Sequence, residues 1–163
     1  MNNTDVGNMI AQCDIELAHI QTLISSFGAT SLVVPYLTKY AAVRACGCIE
    51  TSFKAVIADY CSLRSKKQVK RFINRRVRDG SANPNINNIH KFLLDFDPSW
   101  HTQFKVNLKA EPNSANLLTS LQSLVDARNE FSHGGNPTLS LADIVTYFAH
   151  AKRIIEIMDT VVV

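Results

Sequence analysis

Apolar residues recur at helical spacing along nearly the whole chain, and this restricts the fold more than any motif does. In the first segment Val6, Ile10, Cys13, Leu17, Ile20 and Ile24 follow one another at steps of four and three, which places them on one stripe of a helix. Asn3 or Thr4 is the candidate N-cap, and the stripe stops near Ser26-Phe27-Gly28. After an irregular stretch through Pro35, a long helix is expected from about Thr38 to Ser62, with Cys46, Ile49, Phe53, Val56 and Tyr60 as its core stripe. A basic helix is expected from about Lys66 to Val77, with Val69, Phe72, Ile73 and Val77 as its buried side. It breaks at Asp79-Gly80-Ser81-Ala82-Asn83-Pro84.

Asn85 or Asn87 then caps a short helix containing Ile89, Phe92, Leu93 and Phe96, and Asp97-Pro98 opens another that carries Trp100 and Phe104. Beyond Glu111-Pro112-Asn113 a longer helix runs from Ser114 to His133 with Leu117, Leu121, Leu124 and Phe131, and Gly134-Gly135 ends it as C-terminal caps prefer. The last helix opens at Ser140 with Asp143 three residues on, close to a capping box. Ile144, Phe148, Ile155, Met158 and Val162 line its core face. There is no internal repeat, low-complexity tract or linker. The expectation is one all-α domain over residues 1–163, a compact bundle of five to seven helices.

Composition agrees with that reading. Of the 163 residues 46% are apolar and 19% charged, as in a globular domain with a sizeable core. No apolar run is long enough to span a bilayer, and Met1-Asn2-Asn3-Thr4-Asp5 has neither the basic nor the apolar region of a secretory signal. A cytoplasmic protein with no membrane partner is expected. Cys13, Cys46, Cys48 and Cys61 are then expected as reduced core thiols. No Cys/His set has zinc-site spacing, so neither a metal nor a cofactor is expected.

The net charge of +3 hides a concentration of cations. Arg64, Lys66, Lys67, Lys70, Arg71, Arg75, Arg76 and Arg78 lie within one stretch that contains no Asp or Glu. Such a patch attracts polyanions over about a Debye length, and arginine forks suit phosphate oxygens. These eight residues are the candidate RNA-binding set. A charge run is more often a plain solvated helix face, and the two readings are compatible. No alternation of aromatic with basic residues marks a sequence-specific RNA platform.

The most informative stretch is Asp126-Ala127-Arg128-Asn129-Glu130-Phe131-Ser132-His133-Gly134-Gly135. Four residues past the stripe Leu117, Leu121, Leu124 lies Arg128, so a cation continues the buried-facing row of its helix. That costs desolvation unless Arg128 is paired or lines a groove. Asn129 and His133 are four apart and share a face. A cation, an amide and an imidazole thus converge at one helix end. Histidine is matched to proton transfer near neutral pH, and arginine to charge growing on a phosphate. RNA supplies the nucleophile itself, the 2′-OH beside each phosphate. The bland alternatives are that Arg128 pairs with Asp126, Glu130 or Glu50, and that His133 caps the last carbonyls of its helix. Arg-to-His spacing alone decides nothing.

In this context Arg128-Asn129-Glu130-Phe131-Ser132-His133 resembles the R-x(4–6)-H motif of the HEPN superfamily, with a polar residue directly after the arginine. It lies late in a helix that precedes a final long amphipathic one, where HEPN proteins place it. An earlier long helix with an internal acid, Glu50 in Ile49-Glu50-Thr51-Ser52-Phe53, resembles the RiboL-PSP-type branch. The likeness in helix order extends from about Ala41 onward, and the six-residue motif is its specific part. The resemblance implies a metal-independent endoribonuclease, often a bacterial toxin or phage-defence effector. It also implies a homodimer whose two motifs face one another across a composite cleft, with an antitoxin or other regulatory protein as a further partner. By the same carry-over His133 is the acid/base and Arg128 the phosphate holder. Asn129 orients His133 or the phosphate, and Glu50 pairs with Arg128 or tunes His133. Some members bind nucleotides or partners without cleaving, so a non-catalytic helical module that binds RNA or protein is the rival expectation. His19, His90, His101 and His150 carry no comparable signal.

Overall fold

The computed structural model describes residues 1–135 and 139–163. They form seven α-helices and no strand: α1 (Thr4–Phe27), α2 (Val34–Ser62), α3 (Lys67–Ile73), α4 (Ile86–Phe96), α5 (Pro98–Ala110), α6 (Ser114–Ser132) and α7 (Leu141–Val161). A π-helical turn, Asn74–Arg78, continues directly from α3. The expected all-α bundle of five to seven helices is what the chain forms.

Helix α2 is the central element. It packs against α1, α6 and α7, and its end carries α3 and the π turn. Seven consecutive residues, Ser52 to Ala58, are all buried, as they must be in a helix that is covered on every side. Ala41, Ala42 and Ala45 precede them in the core, where small side chains let neighbouring backbones approach. One continuous apolar cluster joins α1, α2, α4, α5, α6 and α7 through Leu17, Ile49, Phe53, Leu93, Phe104, Leu121, Ile144 and Ile155. The four cysteines are free thiols; Cys13, Cys46 and Cys48 are buried and Cys61 half-buried.

Local chemistry sets the ends of the helices. The Asn3 side chain accepts from the Val6 N–H, Asn85 from Asn88 and Asp97 from Ser99. The Ser140–Asp143 capping box is complete in both directions. Helix α2 starts four residues earlier than Thr38, at Val34, because Pro35 stands in the first turn where its missing N–H costs nothing. The N-terminal backbone is tied down as well: the Asn2 and Asn3 N–H groups donate to the buried Asp159 carboxylate, and Asn3 Nδ2 donates to Asp59 at 2.9 Å.

Three core expectations are corrected. Tyr60 is exposed, lying edge-on to Trp100 with ring centroids 5.2 Å apart near the rim of the bundle. Val69 and Phe72 are exposed, at 46% and 63%, while Ile73 and Val77 alone anchor the basic segment against Ala58. The basic segment has too few neighbours to cover more than one narrow stripe. Among the described residues no helix is long and apolar enough to cross a membrane.

Candidate functional site

The site is built where α6 crosses α2. Glu50 sits midway along α2, and Arg128 near the end of α6 reaches it: Nη2 lies 3.5 Å from Glu50 Oε2. Of the three acids the sequence offered, the structure selects Glu50, which is 78 residues away. The two side chains are 20% and 27% exposed, so the pair opens to solvent on one side. Cys46, one turn before Glu50, is buried beside Arg128. Burial raises its thiol above the ordinary value, and the neighbouring guanidinium partly opposes that rise.

Glu50 does more than hold the arginine. Its Oε1 accepts from Lys54 Nζ at 3.0 Å and from the Ala82 N–H at 3.2 Å. Lys54 is only 8% exposed and also donates to the Gly80 carbonyl at 2.8 Å. One carboxylate therefore faces two cations, Lys54 and Arg128, and the cluster carries a net positive charge. Its contact with Arg128 is long for a charge-assisted hydrogen bond. A guanidinium has five N–H donors, and a single 3.5 Å contact with Glu50 leaves donors for an incoming anion.

Asn129 follows Arg128 and accepts at its Oδ1 from Asn83 Nδ2 at 3.4 Å. Asn83 is anchored in turn by Asn88 Nδ2, which donates to its carbonyl at 2.7 Å, and its own Oδ1 is buried without a hydrogen-bond partner among the described residues. The segment from Gly80 to Asn83 thus ties the end of the basic segment to both Glu50 and Asn129. At Gly80 the chain runs so close to the preceding π turn that a Cβ would meet the Arg76 carbonyl oxygen at 2.6 Å.

His133 is the C-cap of α6. The Gly134 N–H donates to Phe131 O at 3.0 Å and the Gly135 N–H to Glu130 O at 2.9 Å, with Gly134 at φ +82°. That is the two-bond Schellman termination. The His133 backbone N–H takes part in the cap, donating to the Asn129 carbonyl at 3.1 Å and the Glu130 carbonyl at 3.2 Å. Its side chain is exposed and makes no hydrogen bond among the described residues. Structure therefore brings Glu50, Arg128 and Asn129 together, with His133 one turn beyond Asn129 at the open end of the same helix.

The basic residues are placed separately. Seven of the eight, Arg64, Lys66, Lys67, Lys70, Arg71, Arg75 and Arg76, are exposed and form no ion pair among the described residues. Arg78 alone is neutralised, by Asp59 at 2.5 Å. Sequence reasoning missed Lys54 and Asn83. The i, i+4 spacing of Glu50 and Lys54 was an available signal for the first; Asn83 lies in a loop, with no signal to distinguish it. Of the other histidines, His150 Nδ1 is 2.7 Å from Ser120 Oγ between α7 and α6, and His90 stacks edge-on to His101 with centroids 5.1 Å apart. His19 is exposed on α1. No group of three or more His, Cys, Asp or Glu side chains among the described residues is arranged to hold a metal ion.

Compared with known proteins, the sequence matches the family described as RiboL-PSP-HEPN over residues 9–163. No curated protein and no solved structure matches it.

Proposed function

The chain belongs to the RiboL-PSP-HEPN family, and from that premise we propose that it is an endoribonuclease in which Arg128 and His133 cleave RNA without a metal. HEPN domains include ribonucleases and nucleotide-binding members. The observation that carries the cleavage reading is the arrangement at the end of α6, where a loosely held Arg128 and an unencumbered His133 ring face solvent on one helix.

In this reading a non-bridging phosphate oxygen takes the free donors of Arg128, drawn by the positive balance of Lys54, Arg128 and Glu50. His133 accepts the proton of the adjacent 2′-OH. The 2′-oxygen bonds to phosphorus, the bond from phosphorus to the 5′-oxygen breaks, and that oxygen leaves with a proton from a second acid. The products are a 2′,3′-cyclic phosphate and a 5′-OH. One imidazole is poorly placed to serve both sides of an in-line displacement, so a homodimer, with the motif of the second copy facing the first, supplies the acid. Arg128 stabilises the charge that grows on the phosphoryl group. Asn129 is held by Asn83 beside the phosphate site, and Glu50 sets the position of Arg128.

End-group analysis tests this reading. Fragments carrying cyclic phosphate and 5′-OH support it; 5′-phosphate ends refute it, since 2′-OH attack cannot produce them. Light scattering should give the mass of two chains. The second reading, a non-catalytic binding module, draws on Arg128 being paired with Glu50 as a structural ion pair would be. It predicts salt-sensitive RNA binding with no turnover.

A further inference from the structure

We propose that the outer face of the basic segment is a binding site for single-stranded RNA, with an unpaired base stacked on Phe72 and backbone phosphates on Arg71, Arg75 and Arg76. This rests on the reading of RNA as the substrate and names the form in which RNA is taken.

Helix α3 and the π turn bury only Ile73 and Val77 against Ala58, and Arg78 at the end of the turn pairs with Asp59. On the opposite side Gln68, Arg71, Phe72, Arg75 and Arg76 line one shallow depression of about 440 Å³. The spacing explains the grouping: 68, 71, 72, 75 and 76 recur at steps of three and four, and Arg75 and Arg76 lie in the π turn that continues the helix. Phe72 is 63% exposed in the midst of these cations. Its three arginines make no ion pair among the described residues, so their charge is available to an outside anion.

Charge decides the occupant. The cationic surround disfavours pairing with the same face of a second copy of this chain, because that face would meet its own charge. A membrane surface is also a poor match: an interfacial helix separates its apolar stripe from its charged one, whereas here Phe72 shares one depression with Arg71, Arg75 and Arg76. A cationic groove with an exposed aromatic is the arrangement that binds single strands, where phosphates meet the charges and a base meets the ring. In a duplex the bases are stacked on one another and the ring gains nothing. The loop that leaves this segment is bonded to Glu50 and Asn129 through Ala82 and Asn83, so a strand held here lies on the element that adjoins the Arg128 site.

The test is fluorescence anisotropy with the His133→Ala chain, using a short unpaired oligoadenylate RNA, an RNA duplex of equal length and vesicles containing anionic lipid. Phe72→Ala should weaken binding of the single strand by roughly 5- to 150-fold, the range of one lost base stack, and leave the salt dependence unchanged. Phe72→Trp should retain binding. Arg75→Gln should reduce the slope of log K against log salt by about 0.7. Undiminished single-strand binding by Phe72→Ala, equal affinity for the duplex, or binding to vesicles but not to RNA overturns the proposal. These readouts do not require turnover. Loss of binding in Phe72→Ala alongside a wild type that never cleaves would sink the ribonuclease reading and leave this site standing.

Discussion

Arg128 and Glu50 meet across 78 residues of sequence at 3.5 Å, and the same carboxylate holds the buried ammonium of Lys54 at 3.0 Å. Removing the carboxylate affects both cations. Glu50→Ala leaves Lys54 buried beside Arg128 with no counter-charge, a change that costs on the order of 3–5 kcal/mol. Urea denaturation should show that loss. Glu50→Gln keeps the shape and some of the hydrogen bonds; it should fold, and retain cleavage above the level of His133→Ala. A Glu50→Ala protein as stable as wild type would remove Glu50 from its place as the hub of the site.

Asn83 hydrogen-bonds to Asn129 and, among the described residues, to no other residue of the motif. It is a positioning residue, and its loss should be seen in turnover rather than in binding. Asn83→Ala should lower kcat roughly fivefold, corresponding to about 1 kcal/mol for one net hydrogen bond, with KM for RNA unchanged. An increase in KM with kcat unchanged would assign Asn83 to substrate binding instead.

Gly134 has φ +82°, and among the described residues nothing beyond its chain neighbours lies within 4 Å of an added Cβ, so a substitution there meets backbone strain. Gly134→Ala should cost about 1–2 kcal/mol and lower Tm by about 2–4 °C for each kcal/mol in a chain of this size. It also loosens the cap that carries His133. Calorimetry together with a cleavage assay should show activity falling further than stability alone explains. An unchanged Tm would mean that the Schellman termination does not form in solution.

Much of this fold is legible in the sequence because the determining signals are local. The caps at Asn3, Asn85, Asp97 and Ser140 are single residues beside the helices they start, and Gly134 ends α6 through its own backbone freedom. Periodicity gives the stripe a helix presents, but not whether a neighbour covers it. That is why Val69 and Phe72 looked buried and are not, and why Tyr60 lies at the rim. The π turn has no sequence mark. Arg128 stands out as a cation on an apolar row and His133 as an imidazole at a glycine-capped helix end, while the choice of Glu50 over Asp126 or Glu130, and the parts of Lys54 and Asn83, depend on tertiary approach alone.

His90 gives the fold a pH dependence. Burial lowers its imidazole below the ordinary value, with positive charge on His101 and Lys105 acting in the same direction, and its Nδ1 is buried without a hydrogen-bond partner among the described residues. The unfolded chain, near the usual value of about 6.5, binds that proton more readily than the folded one. The stability this group contributes is therefore present above about pH 6.5 and is lost as pH falls through the folded value. Urea midpoints should drop between about pH 7.5 and about pH 5.5, and His90→Phe should drop less. An identical drop in the variant would assign the acid sensitivity to carboxylates instead.

The central claim is that Arg128 and His133 cleave RNA. Its most direct test is incubation of the purified chain with total RNA in excess EDTA, beside His133→Ala with its fold verified by circular dichroism. The account predicts cleavage by the wild type alone. Equal cleavage by His133→Ala would contradict it.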